Sequence, residues 1–280
     1  MVAQLRPRLL RAGITLLLLT AAAWASEVRV ATLNCFLLFD PRIDHRGKVD
    51  DAERMTVSQY DEKLSNLSSL LRGYQAVGVQ ETGGRVELAA LATRAGMKWL
   101  WEPGHDTATG QEVGFLYEMP GWNVSSRGRV RALDRIVSKH LLVEARQGPQ
   151  RVLFLVVHLL RPIGNQSIKH QQQVSAIGEW MRAESAADPR TVMVVLGDTN
   201  STLTERGKSL FGVGMEAGER IGFRATHLAA KAFDRLVLLG PATWREVEVR
   251  SPPYGNRPAA AIKRVWTDHF LLGARLALTP

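Results

Sequence analysis

The chain has 280 residues, 45% of them hydrophobic and 22% charged, with a formal net charge of +9 at neutral pH. Its one cysteine, Cys35, excludes an internal disulfide and is expected to be a small buried hydrophobe. Past residue 25 no segment is long and apolar enough to cross a bilayer, and the length suits one large α/β domain with a substantial core.

Arg6, Arg8 and Arg11 precede an uncharged apolar stretch at 12–23, and Ala23-Trp24-Ala25 supplies an A-x-A cleavage pattern. This is the anatomy of a secretory signal peptide. It predicts a mature domain of residues 26–280 with net charge +6, and no membrane anchor after cleavage. No cysteine follows the cleavage site, so lipid attachment is not expected. Four N-x-[ST] sequons occur, at Asn66, Asn123, Asn165 and Asn200. The last would place a glycan on a candidate site residue, so bacterial export, to the periplasm or out of the cell, is the expected route.

In chain order, apolar runs predict strands at 28–34, 76–80, 113–118, 140–145, 151–159, 191–197, 234–239 and 269–278. Helices are predicted at 53–72, with Leu64, Leu67, Leu70 and Leu71 at helical spacing, at 86–95, and at 167–183, with Val174, Ile177, Trp180 and Met181 on one face. Early gaps hold helices, but three strands follow one another between 113 and 159. That mixture predicts mixed sheets with outer helices rather than one parallel sheet.

Several strands end in polar residues. "VVLGDTN" runs from Val194 to Asn200 and puts Asp198 and Asn200 two residues apart, on one face of an extended chain. Asn34 ends "VRVATLN", Gln80-Glu81 ends "AVGVQE", His158 lies within "LFLVVHL", and Asp268-His269 precedes the last strand. Each alone reads as a turn, a cap or a core histidine. Together they are costly unless they satisfy one another or a cation, because an unpartnered buried polar group costs about 1–3 kcal/mol.

These segments, "LN", "QE", "GDTN", "TDH" and the preceding "AFDRLVL", resemble the endonuclease/exonuclease/phosphatase superfamily in their order and separation. The resemblance implies a four-layer α/β sandwich: two packed mixed β-sheets flanked by helices, with the site at one edge. Glu112 and His158 resemble the deoxyribonuclease I-like branch, in which a Glu and a His at these places form a hydrogen-bonded pair, while Asp234 and His269 form a second. Thr199 stands where an aromatic is commonest, and the branch's cysteine pair is missing.

For a phosphodiester, the site must offset charge on the phosphoryl oxygens, activate water and assist the leaving oxygen. Glu81 is the candidate ligand for a hard cation, Mg²⁺ or Mn²⁺ with Ca²⁺ as a third choice, and Asn34 and Asp268 are its candidate neighbours. Asp198 and Asn200 are assigned to a second ion or to the nucleophile. His269, oriented by Asp234, is base or phosphate ligand and His158, oriented by Glu112, is acid, with the exchanged assignment left open. Residues 127–151 carry a local charge of +5, with Arg127, Arg129 and Arg131 at its start, which suits a polyanionic backbone. The expected activity is an exported, metal-dependent endonuclease acting on DNA or RNA with little base specificity. A sphingomyelinase-like or small-phosphoester hydrolase is the catalytic alternative, and a non-catalytic binding protein is the alternative of another class.

Overall fold

The computed structural model describes residues 27–43, 45, 55–104, 110–202, 209–253 and 259–279; the leader at 1–25 lies outside the described residues. The chain runs β1 (Glu27–Leu38), α1 (Val57–Leu70), β2 (Ala76–Thr82), α2 (Arg85–Ala95), β3 (Lys98–Trp101), β4 (Glu112–Tyr117), β5 (Asn123–Gly128), β6 (His140–Gln147) and β7 (Gln150–His158). It continues through α3 (Gln166–Ala187), β8 (Val192–Asp198), β9 (Met215–Glu216), a 3-10 turn (Ala217–Ile221), β10 (Asp234–Leu239), β11 (Ala242–Arg250), α4 (Ala259–Val265) and β12 (Leu271–Leu278).

Two six-stranded sheets result, ordered β11-β12-β1-β2-β4-β3 and β5-β6-β7-β8-β10-β9. Both are mixed: β1 runs parallel to β2 and β7 parallel to β8, and the remaining pairs are antiparallel. The expected sandwich of mixed sheets is therefore the fold.

Strand β7 shows why its stretch Val152–Val157 is wholly apolar. Val152, Phe154 and Val156 face the other sheet, in a core shared with its Val28, Val30, Val113 and Phe115, while Leu153, Leu155 and Val157 face helix α3 through Val174, Ile177, Trp180 and Met181. A strand covered on both faces has no solvent side to mark with polar residues. The first sheet repeats this arrangement, with Leu33, Val77, Val79 and Leu116 turned outward against Leu64, Leu67, Leu88, Leu91 and Ile262. Cys35 belongs to this outer layer, and burial pushes its thiol up to about 12, as befits an inert hydrophobe.

Helix α1 starts later than its periodicity suggests, because Thr56 accepts a hydrogen bond from the Gln59 amide while the Gln59 side chain accepts from the Thr56 amide. Four strands lie outside the expected set, β3, β5, β9 and β11, and they are the four sheet edges. An edge strand buries less of itself, and β5, "NVSSRG", alternates exposed with half-buried residues. The short helix α4 was also unforeseen. Among the described residues no helix is long and apolar enough to span a membrane.

Candidate active site

Alternation along the strands delivers the site. Val28 and Val30 face the inter-sheet core, so Asn34 falls on the same face of β1. The same parity carries β7 from Val156 to His158, β8 from Leu196 to Asp198, and β10 from Leu236 back to Asp234. The apolar filling stops at this edge of the sandwich and a polar layer replaces it. Register then fixes the order: Asp198 is paired across the ladders with His158 on one side and Asp234 on the other.

Gly197 makes that register possible. Its φ of +155° and the approach of β7, where a Cβ would lie 1.9 Å from the Val157 carbonyl oxygen, leave room for no side chain. Glu81 enters differently. Following outward Val77 and Val79 it should point away from the core, but its φ of +59° breaks the alternation. Phe36, Leu37 and Asn200 also hold left-handed backbone, so four of the seven such non-glycine residues described gather here. Strained backbone concentrated at one place is expected of a functional site.

The Asn34 amide joins two carboxylates, donating to Glu81 Oε1 at 2.9 Å and to Asp198 Oδ2 at 3.0 Å. Glu81 Oε2 accepts from the Leu37 amide at 3.2 Å and from the Gln111 side chain at 3.3 Å. Asp198 Oδ1 accepts from the Asn200 amide, and the Asn200 side chain donates to the Leu159 carbonyl. Asn200 therefore shapes the turn and holds Asp198. Thr199, in the place of an aromatic, donates to the Phe233 carbonyl and clamps β8 to β10.

Two imidazoles flank Asp198, with His158 Nε2 and His269 Nε2 each 3.7 Å from Oδ2. His269 Nδ1 lies 2.8 Å from Asp234 Oδ2, so Nδ1 carries the proton and Nε2 faces the site. Burial opposes charging of His269, but Asp234 and Asp198 outweigh it and raise its pKa to about 10. His158 goes the other way, because burial outweighs its carboxylate neighbours and lowers its pKa. Asp198 is buried, yet the two imidazoles and its hydrogen bonds hold its carboxyl below the usual range. In metal-free protein His269 should therefore stabilise the fold fully below its reference pKa of 6.5 and progressively less as pH rises through about 10. Thermal melts of wild type and His269→Gln between pH 6 and 10.5 should show the wild-type advantage shrinking; an advantage that grows with pH would contradict the assignment.

The expected Asp234–His269 pair is formed, but the Glu112–His158 pair is not. Glu112 Oε2 accepts from the Gly104 amide at 2.8 Å, whereas His158 has Glu81 and Asp198 for carboxylate neighbours and its Nδ1 has no hydrogen-bond partner. The cause is position: Glu112 opens β4, where it pairs with Thr82 in the other sheet. The arginine stripe is also altered. Arg129 is clasped inside its own loop by Asp134, the Ser138 carbonyl and the Val137 carbonyl, while Arg127 lies 3.8 Å from Glu144 and Arg131 is exposed.

Sequence reasoning misses Gln111, Lys263 and His227, and reads Lys139 only as part of the basic stripe. Gln111 bridges Glu81 and Lys139, which donates to Gln111 Oε1 at 3.1 Å. Lys263 Nζ lies 3.0 Å and His227 Nε2 3.3 Å from Asp268 Oδ2. These sit on loops and short helices without periodicity, so only the preceding fold could reveal them. Burial would raise the Asp268 carboxyl, but His227, His269 and Lys263 hold it well below the usual range.

A divalent cation fits this donor set. Glu81, His158 and Asp198 offer ligand atoms within 4.8 Å of one another, and Asp268 Oδ1 and His158 Nδ1 are buried without hydrogen-bond partners. Buried carboxylates bridged by a single amide are the environment a hard cation neutralises.

The two-sheet sandwich, with its carboxylate–imidazole edge, has counterparts among solved structures that share the fold. The chain has the endonuclease/exonuclease/phosphatase fold, deoxyribonuclease I-like. Bacteroides thetaiotaomicron provides two similar structures, an endonuclease/exonuclease/phosphatase family protein (12% identity, TM-score 0.59, covering 91% of this chain and 99% of that one) and the mannosyl-6-phosphatase Bt3783 (12%, 0.61, 90% and 100%). A third is D. rerio TDP2 complexed with single-strand DNA product (16%, 0.59, 90% and 99%). The sequence itself matches no protein-family model and no curated protein.

Proposed function

We propose that the protein is an exported, divalent-metal-dependent phosphodiesterase that cleaves nucleic-acid backbones with little base specificity. In this reading residues 1–25 are a signal peptide, and 26–280 form one domain acting in the periplasm or outside the cell. One observation carries it: Glu81, Asp198, Asp268, His158 and His269, from both sheets, converge on one buried edge. The solved complex of D. rerio TDP2 with a DNA product supports nucleic acid as a ligand for this fold.

Glu81 and Asp268 would hold Mg²⁺ or Mn²⁺, whereas Asn34, expected as a third ligand, turns its NH₂ to Glu81 and Asp198 and so orients the carboxylates instead; when bound, the ion would offset phosphoryl charge and lower the pKa of water. Asp198 and His158 form the acceptor side. Asp198 stays ionised and His158 neutral, so the attacking water is oriented between them and gives up its proton there as its oxygen bonds to phosphorus. His269 forms the donor side, because Asp234 and Asp198 keep it charged at neutral pH and its Nε2 faces the site. As the ester P–O bond breaks, the departing oxygen takes the His269 proton, leaving a phosphomonoester and an alcohol.

Arg131 and Arg135 line an exposed groove of about 910 Å³ with Asp134 and Ile136, a surface suited to phosphates. A second reading rests on its neighbours. Ile163 and Ile168 are 69% and 70% exposed at the start of α3, and Ile136 is 40% exposed, which suits a lipid-borne phosphodiester. The discriminating experiment is a panel of duplex DNA, single strands, RNA, sphingomyelin, mannose 6-phosphate and a bis-aryl phosphodiester, each with Mg²⁺, Mn²⁺, Ca²⁺ or chelator. Cleavage of DNA is expected, falling with salt, and replacing Arg127, Arg131 and Arg135 by Gln should flatten the salt slope by up to roughly 0.9 per lost phosphate contact. The bis-aryl ester should be unaffected. Turnover confined to sphingomyelin, or to the phosphomonoester, would overturn the nuclease reading.

A further inference from the structure

His227, Asp268 and His269 place one ligand atom each within 4.8 Å of one another, which invites assignment as a second metal centre with two imidazoles and one carboxylate. The hydrogen bonds of His227 argue against that. Its Nδ1 accepts from the Ala229 amide at 2.9 Å, which commits the Nδ1 lone pair and leaves the ring proton on Nε2. An imidazole binds a metal through a free lone pair, and Nε2 has none in this tautomer. What Nε2 offers is an N–H, and it faces Asp268 Oδ2 at 3.3 Å.

The backbone fixes this arrangement. Residues 226–231 fold over the segment before β12: Leu228 N donates to the Asp268 carbonyl, Phe270 N donates to the Thr226 carbonyl, and His227 is bridged to His269 as in a sheet. The His227 ring stands edge-on to His269, with centroids 4.8 Å apart, and to Phe233 at 5.2 Å. Lys263 approaches the same Asp268 oxygen, Oδ2, at 3.0 Å. Two donors thus converge on Oδ2, while Oδ1 is buried, has no hydrogen-bond partner and lies 3.9 Å from His269 Nε2.

We propose that His227 is a positioning residue for the metal site: through its Nε2–H it holds the Asp268 carboxylate by Oδ2, so that Oδ1 is the oxygen presented to the cation. This rests on the metal-site reading above. The equivalent of a ligand's orienting partner is here one imidazole fixed by a backbone amide, and loss of such partners typically weakens metal binding by roughly 10–100-fold.

The test is Mn²⁺ affinity by titration calorimetry for wild type, His227→Ala and His227→Gln, with electron spin-echo spectra of the Mn²⁺-loaded proteins to detect directly coordinated imidazole nitrogen. Glutamine keeps an N–H donor near the place of Nε2 but cannot act as an imidazole ligand. Weaker binding in His227→Ala, substantial recovery in His227→Gln and the same nitrogen coupling, or the same lack of it, in all three proteins are the expected results. Unchanged affinity in His227→Ala overturns the proposal, as does a Gln variant as weak as the Ala variant. A nitrogen signal lost in both variants would make His227 a direct ligand. Wild-type protein that binds no Mn²⁺ would instead overturn the metal-site reading itself, and the role of His227 with it.

Discussion

Glu81→Gln is expected to lower metal-dependent turnover at least ~100-fold while the protein stays folded. Every partner of this carboxylate is a donor: Asn34 Nδ2 on Oε1, and the Leu37 amide with Gln111 Nε2 on Oε2. Asn34 cannot turn its amide over without cost, because its Oδ1 already accepts from the Phe36 amide. A glutamine must therefore set its own NH₂ against a donor in either orientation, at about 1–3 kcal/mol. That is too little to unfold a domain of this size, but it displaces the group and removes the negative charge together. Steady-state rates over a Mn²⁺ titration, with circular dichroism as the folding control, would measure it. Full turnover by metal-free wild type in excess chelator would sink the claim.

His158→Ala and His269→Ala should each reduce turnover by roughly 10²–10⁴-fold, and the double variant by far less than the product. The expectation of non-additivity comes from geometry, since both Nε2 atoms stand 3.7 Å from the same Asp198 oxygen. Once either proton-transfer partner is gone, the other has no concerted step to serve. His269→Ala should be the more disruptive to structure, because it leaves Asp234 buried beside no cation, and burial already pushes that carboxyl up. Near-wild-type rates in His158→Ala would return His158 to a core histidine.

Much of this site was legible because strand geometry is a two-residue code. Asn34, His158, Asp198 and Asp234 each continue the inward parity of an apolar run, so pattern alone placed them together once two sheets were assumed. Glu81 was found by its motif, yet its direction depends on a left-handed φ that no pattern shows. The Glu112–His158 pair was carried over by resemblance and failed, because Glu112 contacts Gly104 in this chain. Arg129 was read as a surface cation, and only the fold of its loop reveals that Asp134 and two carbonyls use it. The polar edge strand β5 and His227 are silent because neither lies in an apolar periodic run.

The pairing of β1 with β12 joins strands from opposite ends of the described chain, and the site takes Asn34 from one and Asp268 and His269 from the turn before the other. No contiguous fragment that stops short of that turn holds the whole set of groups. A chain still being synthesised therefore lacks the assembled site until that turn has emerged and β12 has paired with β1. If the chain is the phosphodiesterase proposed above, made in a cell full of potential substrates, folding itself would be the safety catch.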